Sequence, residues 1–447
     1  MKTYILRFTT KGIKNIDKMT SIDFYNNSVS KGKVINIEKK NVKGIFGING
    51  AGKSAYMLSM DIYNTITTKS DYLVQDVIKN KLERLINKSL KELFLENIFA
   101  VSKEDDDTKI YEVLKHTIII KYYFNDFKQK IFTLNEKLER LVGTTINSEY
   151  EEIYRVNDGK LTVNDKLLDS SWYKEEYSNR LEWSSLISYT LNSLSKNKDE
   201  DLDNKKLLWY MFSTFYNSLT TKVFIDSEDL QENYTLDGAF IIMNHKSLDP
   251  FRNDEKYIIS FKIMNDVVEK DKFDSYKKEV NKLKEFIQIL KPSLKDIRID
   301  SIIDGDYYRC NKIFVYDGYE VDEDCESTGI KRIIKMYAYI DLMVKGAKVF
   351  IDELDANISG VFLDKLLEFV AENGKGQLCF ASHNILSMNI LKQYKNSITV
   401  IGETGKVVNI VKNGHYQPVN QFYEGFIEDS PFNINSFDFF KSFGLEE

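Results

Sequence analysis

The segment Gly47-Ile48-Asn49-Gly50-Ala51-Gly52-Lys53-Ser54 has the residue types and spacing of a phosphate-binding loop, G-x-x-x-x-G-K-[ST]. Its glycines let the backbone wind tightly enough for successive N–H groups to point at a polyphosphate. Lys53 adds a positive charge over the terminal phosphates, and the Ser54 hydroxyl is a ligand for Mg²⁺. An apolar strand end, Gly44–Phe46, precedes the loop and a helical run, Ala55–Leu58, follows it. The pattern predicts a nucleotide site at a helix N-terminus.

A second candidate is the apolar strand Lys348-Val349-Phe350-Ile351, which ends in the acids Asp352 and Glu353. A buried strand of this kind delivers Asp352 to the Mg²⁺ shell beside the phosphate loop. Glu353 is then placed to polarise the water that attacks the γ-phosphate. Two solvated acids at a strand end are the simpler alternative. The following Leu354-Asp355 and the upstream phosphate loop favour the catalytic interpretation.

Two further segments end or begin at positions suited to phosphate chemistry. Gln377–Asn384 reads as a strand with a polar end, where His383 could hydrogen-bond the γ-phosphate or the attacking water. The interval from Glu353 to His383 leaves room for one helix and one strand. Ser327 and Gly329 precede an amphipathic helix, of which Ser327 is a credible N-cap. A serine and a glycine at a helix N-terminus also make an anion site.

The elements that must position these residues follow from hydrophobic periodicity. Residues 1 to about 65 read as strands followed by the phosphate loop and its helix. We predict a helix over Leu73–Phe99, strands at His116–Phe124 and Lys130–Thr133, and a hairpin turn at Asn157-Asp158-Gly159. From Ile313 onward, strands and helices alternate as in an α/β half-domain.

We expect three units: an N-terminal ATPase lobe with a β-rich part (1–170), a helical insertion (171–300) and a C-terminal ATPase lobe (301–447). Helical periodicity dominates the middle unit, where Lys256–Leu290 reads as one long helix or a pair. About 130 residues are too few for the long coiled-coil arm of a chromosome-structuring ATPase.

Composition excludes several classes of protein. The formal net charge of −6 gives no global basic field for nucleic acid, although local lysine-rich stretches leave a basic patch open. The three cysteines (Cys310, Cys325 and Cys379) lie far apart without a C-x-x-C pair, which argues against a zinc hook or a disulfide framework. No apolar run is long enough for a membrane span, so we expect a cytoplasmic protein without membrane partners.

The four motifs, in this order, resemble those of the ATP-binding-cassette ATPases of the structural-maintenance, RecF and OLD group. The bacterial abortive-infection ATPases are most similar, with a signature like E-S-x-G-x-[KR]. This chain has Glu326-Ser327-Thr328-Gly329-Ile330-Lys331, a D-E-L-D run at Asp352–Asp355 and S-H-N at Ser382–Asn384. The resemblance covers about 1–65 and 320–447. It implies an α/β fold: a P-loop NTPase of ABC/SMC-like head architecture with an N-terminal β-rich lobe and an inserted helical lobe.

The resemblance also implies roles for individual residues. Gly47–Ser54 would bind ATP, Ser54 and Asp352 would hold Mg²⁺, and Lys53, Glu353 and His383 would act in hydrolysis. Ser327 and Gly329 would complete the site of an opposite subunit, and Asp355 would form the D-loop across the dimer, so that two heads sandwich two ATPs. Two departures stand out. Ile358-Ser359-Gly360 replaces the L-H-P that often follows the D-E-L-D-A run. No glutamine is clearly that of the Q-loop, for which Gln75 and Gln129 are both candidates.

The leading functional hypothesis is an ATPase of anti-phage defence that forms a homodimer or higher homo-oligomer and controls a separate effector, such as a Toprim-like nuclease. No acidic cluster after His383 looks like a nuclease site. The aromatic and acidic stretch Gln421–Glu447 is either a packed terminal helix or a docking tail. One alternative is a RecF-like repair ATPase that binds DNA in its ATP-closed state. Another is a non-catalytic scaffold in which ATP is a structural clamp.

Overall fold

The computed structural model describes residues 1–25, 28–35, 40–103, 106–164, 166, 181–196, 205–225, 267–410 and 417–427. It is a mixed α/β structure with an N-terminal antiparallel sheet and a second, mixed and mostly parallel sheet. Within the described residues, no helix is both long enough and apolar enough to cross a membrane. The aromatic and acidic stretch Gln421–Glu447, interpreted as a packed terminal helix or a docking tail, lies outside these residues beyond 427.

The N-terminal sheet has seven antiparallel strands in the order β2-β1-β4-β5-β6-β7-β8. Its strands are β1 (Lys2–Lys11), β2 (Thr20–Asp23), β4 (Glu92–Lys103), β5 (Asp106–Phe124), β6 (Lys130–Leu141), β7 (Tyr150–Asn157) and β8 (Lys160–Val163). The predicted strands at 116–124 and 130–133 are confirmed. The predicted hairpin turn is confirmed too, since Asp158 and Gly159 both have positive φ, as a two-residue type I′ turn requires.

The prediction of one helix over Leu73–Phe99 was wrong for its second half. A 3₁₀ turn (Tyr72–Val74) and helix α2 (Asp76–Leu85) occupy the first half, and β4 begins at Glu92. Strand β4 pairs along its length with β1 on one side and with β5 on the other. Leu93 and Leu95, two residues apart, are fully buried, so strand periodicity and pairing with distant segments override the local helical pattern.

The second sheet has six strands in the order β17-β16-β3-β15-β14-β9, and only β17 runs antiparallel to its neighbour. Its strands are β3 (Val42–Phe46), β9 (Thr221–Phe224), β14 (Lys348–Ile351), β15 (Gln377–Ala381), β16 (Ile398–Ile401) and β17 (Val407–Ile410). Helix α1 (Lys53–Thr68) packs against strands of both sheets. The other flanking helices are α6 (Thr328–Lys345), α7 (Gly360–Asn373), α8 (Met388–Leu391) and α9 (Pro418–Tyr423).

The interval 171–300, expected to be helical, contains both helices and strands. Helices α3 (Leu186–Lys196), α4 (Lys205–Leu219) and α5 (Phe273–Leu290) agree with the predicted helical periodicity. The prediction of helix over Lys256–Leu290 was wrong at 267–269, which form a strand, and residues 256–266 lie outside the described part of the chain. Strand β9, however, extends the six-stranded sheet beside β14. Strands β10 (Val267–Glu269) and β11 (Leu294–Asp304) pair with β12 (Tyr307–Tyr316), which also pairs with β13 (Tyr319–Asp322). Short four-residue strands give little periodic signal of their own.

Polar side chains join the first strand to the six-stranded sheet. The buried Gln377 side chain bonds both backbone groups of Ile5, with Ile5 N donating to Oε1 over 2.8 Å and Nε2 donating to Ile5 O over 2.9 Å. At this point the pairing of β1 with β4 shifts register. The buried Lys348 Nζ donates to the hydroxyls of Thr3 and Thr220, each over 2.6 Å. The two sheets are therefore fastened by directed hydrogen bonds as well as by apolar packing.

Candidate functional site

The carboxyl ends of three parallel strands meet where the candidate residues lie. The Ser382 amide after β15 donates to Ile45 O of β3 over 3.1 Å, and the Leu354 amide after β14 donates to Ala381 O of β15 over 3.0 Å. The loops that follow β3, β14 and β15 are therefore side by side. In open parallel sheets this edge is the usual place for ligand binding.

The loop after β3 has the backbone that its glycines permit. Gly47 has φ of +149°, and a Cβ there would lie 2.2 Å from Ile401 O, so no other residue fits. Gly52, with φ of +107°, immediately precedes α1. A Cβ on Gly52 would lie 2.9 Å from Cγ1 of Ile16. The sequence prediction of a tight glycine turn between a buried strand and a helix is confirmed.

Lys53 turns back over its own loop. Its Nζ donates to the carbonyl oxygens of Gly47 over 2.8 Å and of Ile48 over 2.9 Å. Burial lowers the pKa of Lys53, while the nearby carboxylates of Asp352, Asp355 and Glu353 oppose that shift. The ammonium group is thus held at the centre of the loop, with acids from the β14 loop within electrostatic reach.

A strap after β1 supports this loop, and sequence reasoning missed it. The Asn15 side-chain amide donates to Gly50 O, and Ile16 packs on Gly52. The strap is itself held by α2, because the Lys14 amide donates to Leu85 O over 2.7 Å. Nothing in the local pattern of 12–16 points to the phosphate loop, which lies more than thirty residues later in the chain.

Asp352 lies against Ser54. The Asp352 carboxylate is buried, and burial is the largest cause of its raised pKa, which a hydrogen bond from Ser54 partly offsets. Its Oδ1 has no hydrogen-bond partner among the described residues. The same part of the chain contains no cluster of three or more His, Cys, Asp or Glu side chains arranged to hold a metal ion. One carboxylate and one hydroxyl therefore fit Mg²⁺, which is commonly bound by few protein ligands together with substrate phosphates.

Glu353 is exposed and has a left-handed backbone, with φ of +49°. Such a conformation is unfavourable for a residue with a Cβ unless its surroundings hold it. Arg332 of α6 supplies that support, because its Nη2 donates to Asp352 O over 3.1 Å and to Glu353 O over 2.5 Å. The buried guanidinium also stacks on the ring of Phe224, 5.3 Å from its centroid. Nothing in the local sequence pattern assigns a role to Arg332.

Replacing Arg332 with methionine is expected to lower the free energy of unfolding by about 2–3 kcal/mol, because the buried Asp352 carbonyl and the part-buried Glu353 carbonyl lose a charged donor. For the ATP hydrolysis expected from the sequence, it should also slow turnover about tenfold, since Glu353 would leave its held conformation. Denaturant unfolding and phosphate release measure the two effects. Arg298, which forms only exposed ion pairs, is the control, and Arg298→Met should change neither quantity appreciably. Unchanged turnover in Arg332→Met would contradict the positioning role.

Asp355 joins the loops after β14 and β15. Its carboxylate accepts hydrogen bonds from the His383 amide over 3.3 Å and from the Asn384 amide over 3.0 Å. His383 follows the buried Ser382 and is exposed. The structure thus brings His383 to the same sheet edge as Glu353, with helix α7 and strand β15 between them in the chain, as the spacing predicted.

Ser327 and Gly329 lie at the start of α6, and their neighbours in the described part of the chain are not residues of the glycine loop. The Ser327 hydroxyl accepts from the Ile330 amide over 3.3 Å, which confirms the predicted N-cap. The buried Glu326 carboxylate holds the preceding turn by accepting from the Ser327 amide over 2.9 Å and from the Tyr316 hydroxyl. Among the described residues, a Cβ on Gly329 would come within 4 Å of Asn357 alone.

Both candidates for the Q-loop glutamine bond within their own turns. The Gln75 side chain donates to Asp71 over 3.3 Å, and the Gln129 side chain accepts from Asn125 over 2.9 Å. Both glutamines are exposed, and neither contact involves the phosphate loop. We assign the Q-loop role to neither residue.

Comparison of the chain with known protein families finds no matching family, and comparison with curated proteins finds no matching relative.

Proposed function

We propose that this protein is an ABC-type ATPase that binds and hydrolyses Mg·ATP. The observation that supports this most strongly is the meeting of three loops at one sheet edge: the glycine loop with Lys53, the Asp352–Glu353 pair and the His383 loop. Each loop follows a parallel strand of the same sheet. A P-loop NTPase requires this combination of a phosphate cradle, a carboxylate beside the loop hydroxyl and an activating acid.

The positions of the site residues suggest separate roles in binding and hydrolysis of Mg·ATP. The loop amides of Gly47–Ser54 and the Lys53 ammonium hold the phosphates, and Ser54 and Asp352 would hold Mg²⁺, which neutralises phosphate charge when bound. The exposed Glu353 accepts the proton of the attacking water, because it is the carboxylate that remains free to face substrate. His383 donates a hydrogen bond to the terminal phosphate.

We expect Ser327 and Gly329 to act at the ATP site of an opposite subunit. Among the described residues, their contacts are with Glu326, Ile330 and Asn357, and none of these contacts involves the glycine loop of their own chain. Two heads that face each other across a twofold axis would bring each α6 N-terminus to the phosphates held by the other head. Asp355, one turn from this surface, would form part of the same interface.

A measurement of molar mass tests this assembly. Glu353→Gln, which should retain ATP, is expected to double in mass by light scattering when Mg·ATP is added, and the further change Ser327→Ala should abolish the doubling. Ser359→Ala is the matched control, because Ser359 caps α7 in the same way, with its hydroxyl accepting from the Phe362 amide. If Glu353→Gln binds ATP but its molar mass does not change, the proposal of ATP-driven dimerisation is refuted.

We further propose that ATP-driven assembly controls a separate effector in anti-phage defence. The described residues offer no cluster of acids that could serve as a nuclease metal site. The E-S-x-G-x-K, D-E-L-D and S-H-N sequences support the likeness to abortive-infection ATPases. Nuclease activity in the pure protein would contradict this division of labour, whereas activity that appears only with a Toprim-like partner would support it.

The second candidate function is DNA binding of the RecF type in the ATP-closed state. The net charge of −6 gives it little electrostatic support. Binding of duplex DNA that requires ATP and weakens steeply with salt would favour this alternative over control of a protein effector.

A further inference from the structure

A fully buried polar cluster lies away from the candidate ATP site, between α1, the N-terminal sheet and α3. We call it the Glu136 cluster; it comprises Tyr63, His116, Glu136, Tyr154 and Ser185. Each of these side chains has at most a trace of solvent exposure. None of them has a part in the proposed hydrolysis, so their burial together calls for a separate explanation.

Glu136 is the centre of this cluster. Its Oε1 accepts hydrogen bonds from His116 Nε2 over 2.8 Å, from the Tyr154 hydroxyl over 2.8 Å and from the Ser185 hydroxyl over 2.9 Å. Its Oε2 accepts from the Leu186 amide over 2.6 Å. Four donors match the acceptor capacity of an ionised carboxylate, which accepts only. A buried carboxylate with this set of donors is fully satisfied, and loss of any one donor is costly.

His116 connects the carboxylate to the phosphate-loop helix. Because its Nε2 donates to Glu136, a neutral ring leaves Nδ1 as the acceptor for the Tyr63 hydroxyl, which lies 2.8 Å away. Tyr63 belongs to α1, the helix that begins with Lys53. At 1.5 Å per residue, Tyr63 lies about 15 Å along the helix axis from Lys53. A displacement of α1 at its phosphate end therefore reaches the cluster through a rigid element.

The other end of the cluster is the start of α3. Leu186 is the first residue of α3, so Glu136 accepts the first amide of that helix, and Ser185 precedes it. A carboxylate here also interacts favourably with the positive end of the helix dipole. The order of α3 at its N-terminus thus depends on a side chain of β6 that is linked to α1 through His116.

Further buried polar groups surround the linkage. The Tyr63 hydroxyl lies near the side chains of Asn97 and Ser218. Within the described residues, neither the amide nitrogen nor the amide oxygen of Asn97 has a hydrogen-bond partner, and the Ser218 hydroxyl has none. Asn97 pairs with His116 across β4 and β5. A shift of α1 can therefore exchange the Tyr63–His116 bond for bonds to these groups.

We propose that the Glu136 cluster couples nucleotide binding at the phosphate loop to the order of α3. The inference rests on the proposed ATPase function and goes beyond it by naming the element that responds inside the subunit. Coupling between two sites is reciprocal, so a change at α3 must also be felt at α1. This reciprocity gives two independent readouts, one with nucleotide and one without.

The experiment is hydrogen–deuterium exchange of the full chain in the Glu353→Gln background. Addition of Mg·ATP is expected to slow exchange at the start of α3, around Leu186, by about fivefold or more, the lower end of ordinary coupling. Tyr63→Phe should reduce this slowing to less than about twofold while ATP still binds, as equilibrium dialysis would report. Tyr56→Phe is the matched control. It also removes one buried hydroxyl from α1, but one that bonds the backbone oxygen of Phe8 over 3.0 Å, so coupling should persist.

The nucleotide-free measurement changes the cluster next to α3 and follows hydrogen exchange in α1. Ser185→Ala removes one donor from Glu136 and should speed exchange of the α1 amides of Ala55–Leu58 about fivefold. Two results would refute the coupling while the ATPase proposal stands, provided that ATP binds. In one, ATP slows hydrogen exchange of α3 as much in Tyr63→Phe as in the parent. In the other, ATP leaves hydrogen exchange of α3 in the parent unchanged. If the parent binds no ATP, the ATPase proposal fails. In that case unchanged α1 exchange in Ser185→Ala refutes the coupling, and faster exchange supports a structural linkage between the two helices.

Discussion

Glu353→Gln is expected to lower steady-state ATP hydrolysis by about 10²–10⁴-fold, the usual contribution of a general base. The amide keeps the size of the side chain but cannot accept the proton of the attacking water. Asp352 and Ser54 remain in place, so the affinity for Mg·ATP should change little. Phosphate release measured at saturating ATP, together with nucleotide binding at equilibrium, separates the two quantities.

Two comparisons make this result specific. Glu372→Gln changes an exposed glutamate of α7 in the same way and should leave turnover unaltered. Lys53→Ala should instead weaken ATP binding itself, because the loop loses the ammonium group held between the Gly47 and Ile48 carbonyls. Turnover of Glu353→Gln equal to that of the parent would assign the base to another residue and favour the scaffold alternative.

The second large effect concerns Lys43, a buried lysine on β3. Lys43 is 2% exposed, its Nζ has no hydrogen-bond partner among the described residues, and it pairs in register with Cys379 of β15. Burial lowers the pKa of Lys43 to about 7, against the weak opposing influence of Cys379 and Asp23. The charged form is thus strongly disfavoured in the folded protein.

The direction of the pH effect follows from proton binding. The unfolded chain binds a proton at Lys43 up to its ordinary pKa of 10.5, whereas the folded protein releases it near pH 7. Between these values the unfolded state binds more protons, so folding stability rises with pH across this window. Well below pH 7 the penalty is fully present. At about 1.36 kcal/mol per pKa unit, the shift from 10.5 to about 7 amounts to about 5 kcal/mol, and at pH 7 itself, where half of the folded molecules hold the proton, the penalty is about 4 kcal/mol.

Lys43→Met is therefore expected to raise the free energy of unfolding by about 4 kcal/mol at pH 7. At pH 9.5 the difference in free energy of unfolding between Lys43→Met and the parent should be smaller by about 3 kcal/mol. At that pH, Lys43 of the parent costs little folding stability, because pH 9.5 is close to the pKa of the unfolded chain. Urea unfolding of both proteins at the two pH values measures the difference, and other titrating groups cancel in it.

Lys348→Met is the contrasting control. Lys348 is equally buried, but its Nζ donates to the Thr3 and Thr220 hydroxyls. Its loss leaves those hydroxyls short of a donor and should destabilise the protein by about 1–3 kcal/mol. A Lys43→Met variant that is also less stable than the parent at pH 7 would show that the Lys43 ammonium is satisfied in solution.

Much of the candidate site could be predicted from sequence because its motifs are contiguous. The phosphate loop, the Asp352–Glu353 pair and the Ser327 cap each lie within a few residues, between a strand and a helix of regular periodicity. Local propensity and position along the chain then determine the conformation, as the N-cap bond of Ser327 illustrates.

The supporting residues could not be predicted, since they act across the fold. Arg332 reaches the Asp352 and Glu353 carbonyls, about one helix and one strand further along the chain, and Asn15 reaches Gly50. The same reason explains the error at β4, whose two neighbours fix it as a strand. Contacts between distant segments leave no periodic mark on either segment alone.

The hydrogen bonds between Gln377 and Ile5 of β1 have a consequence for synthesis of the protein. Ile5 and its partner Gln377 are 372 positions apart along the chain. At about 5–20 residues per second, a ribosome needs roughly 20–70 s to deliver the second after the first. Throughout that interval the apolar residues of β1 have no parallel sheet to dock on. Nascent chains of this protein should therefore depend on holding chaperones during translation, and slower elongation should increase their aggregation.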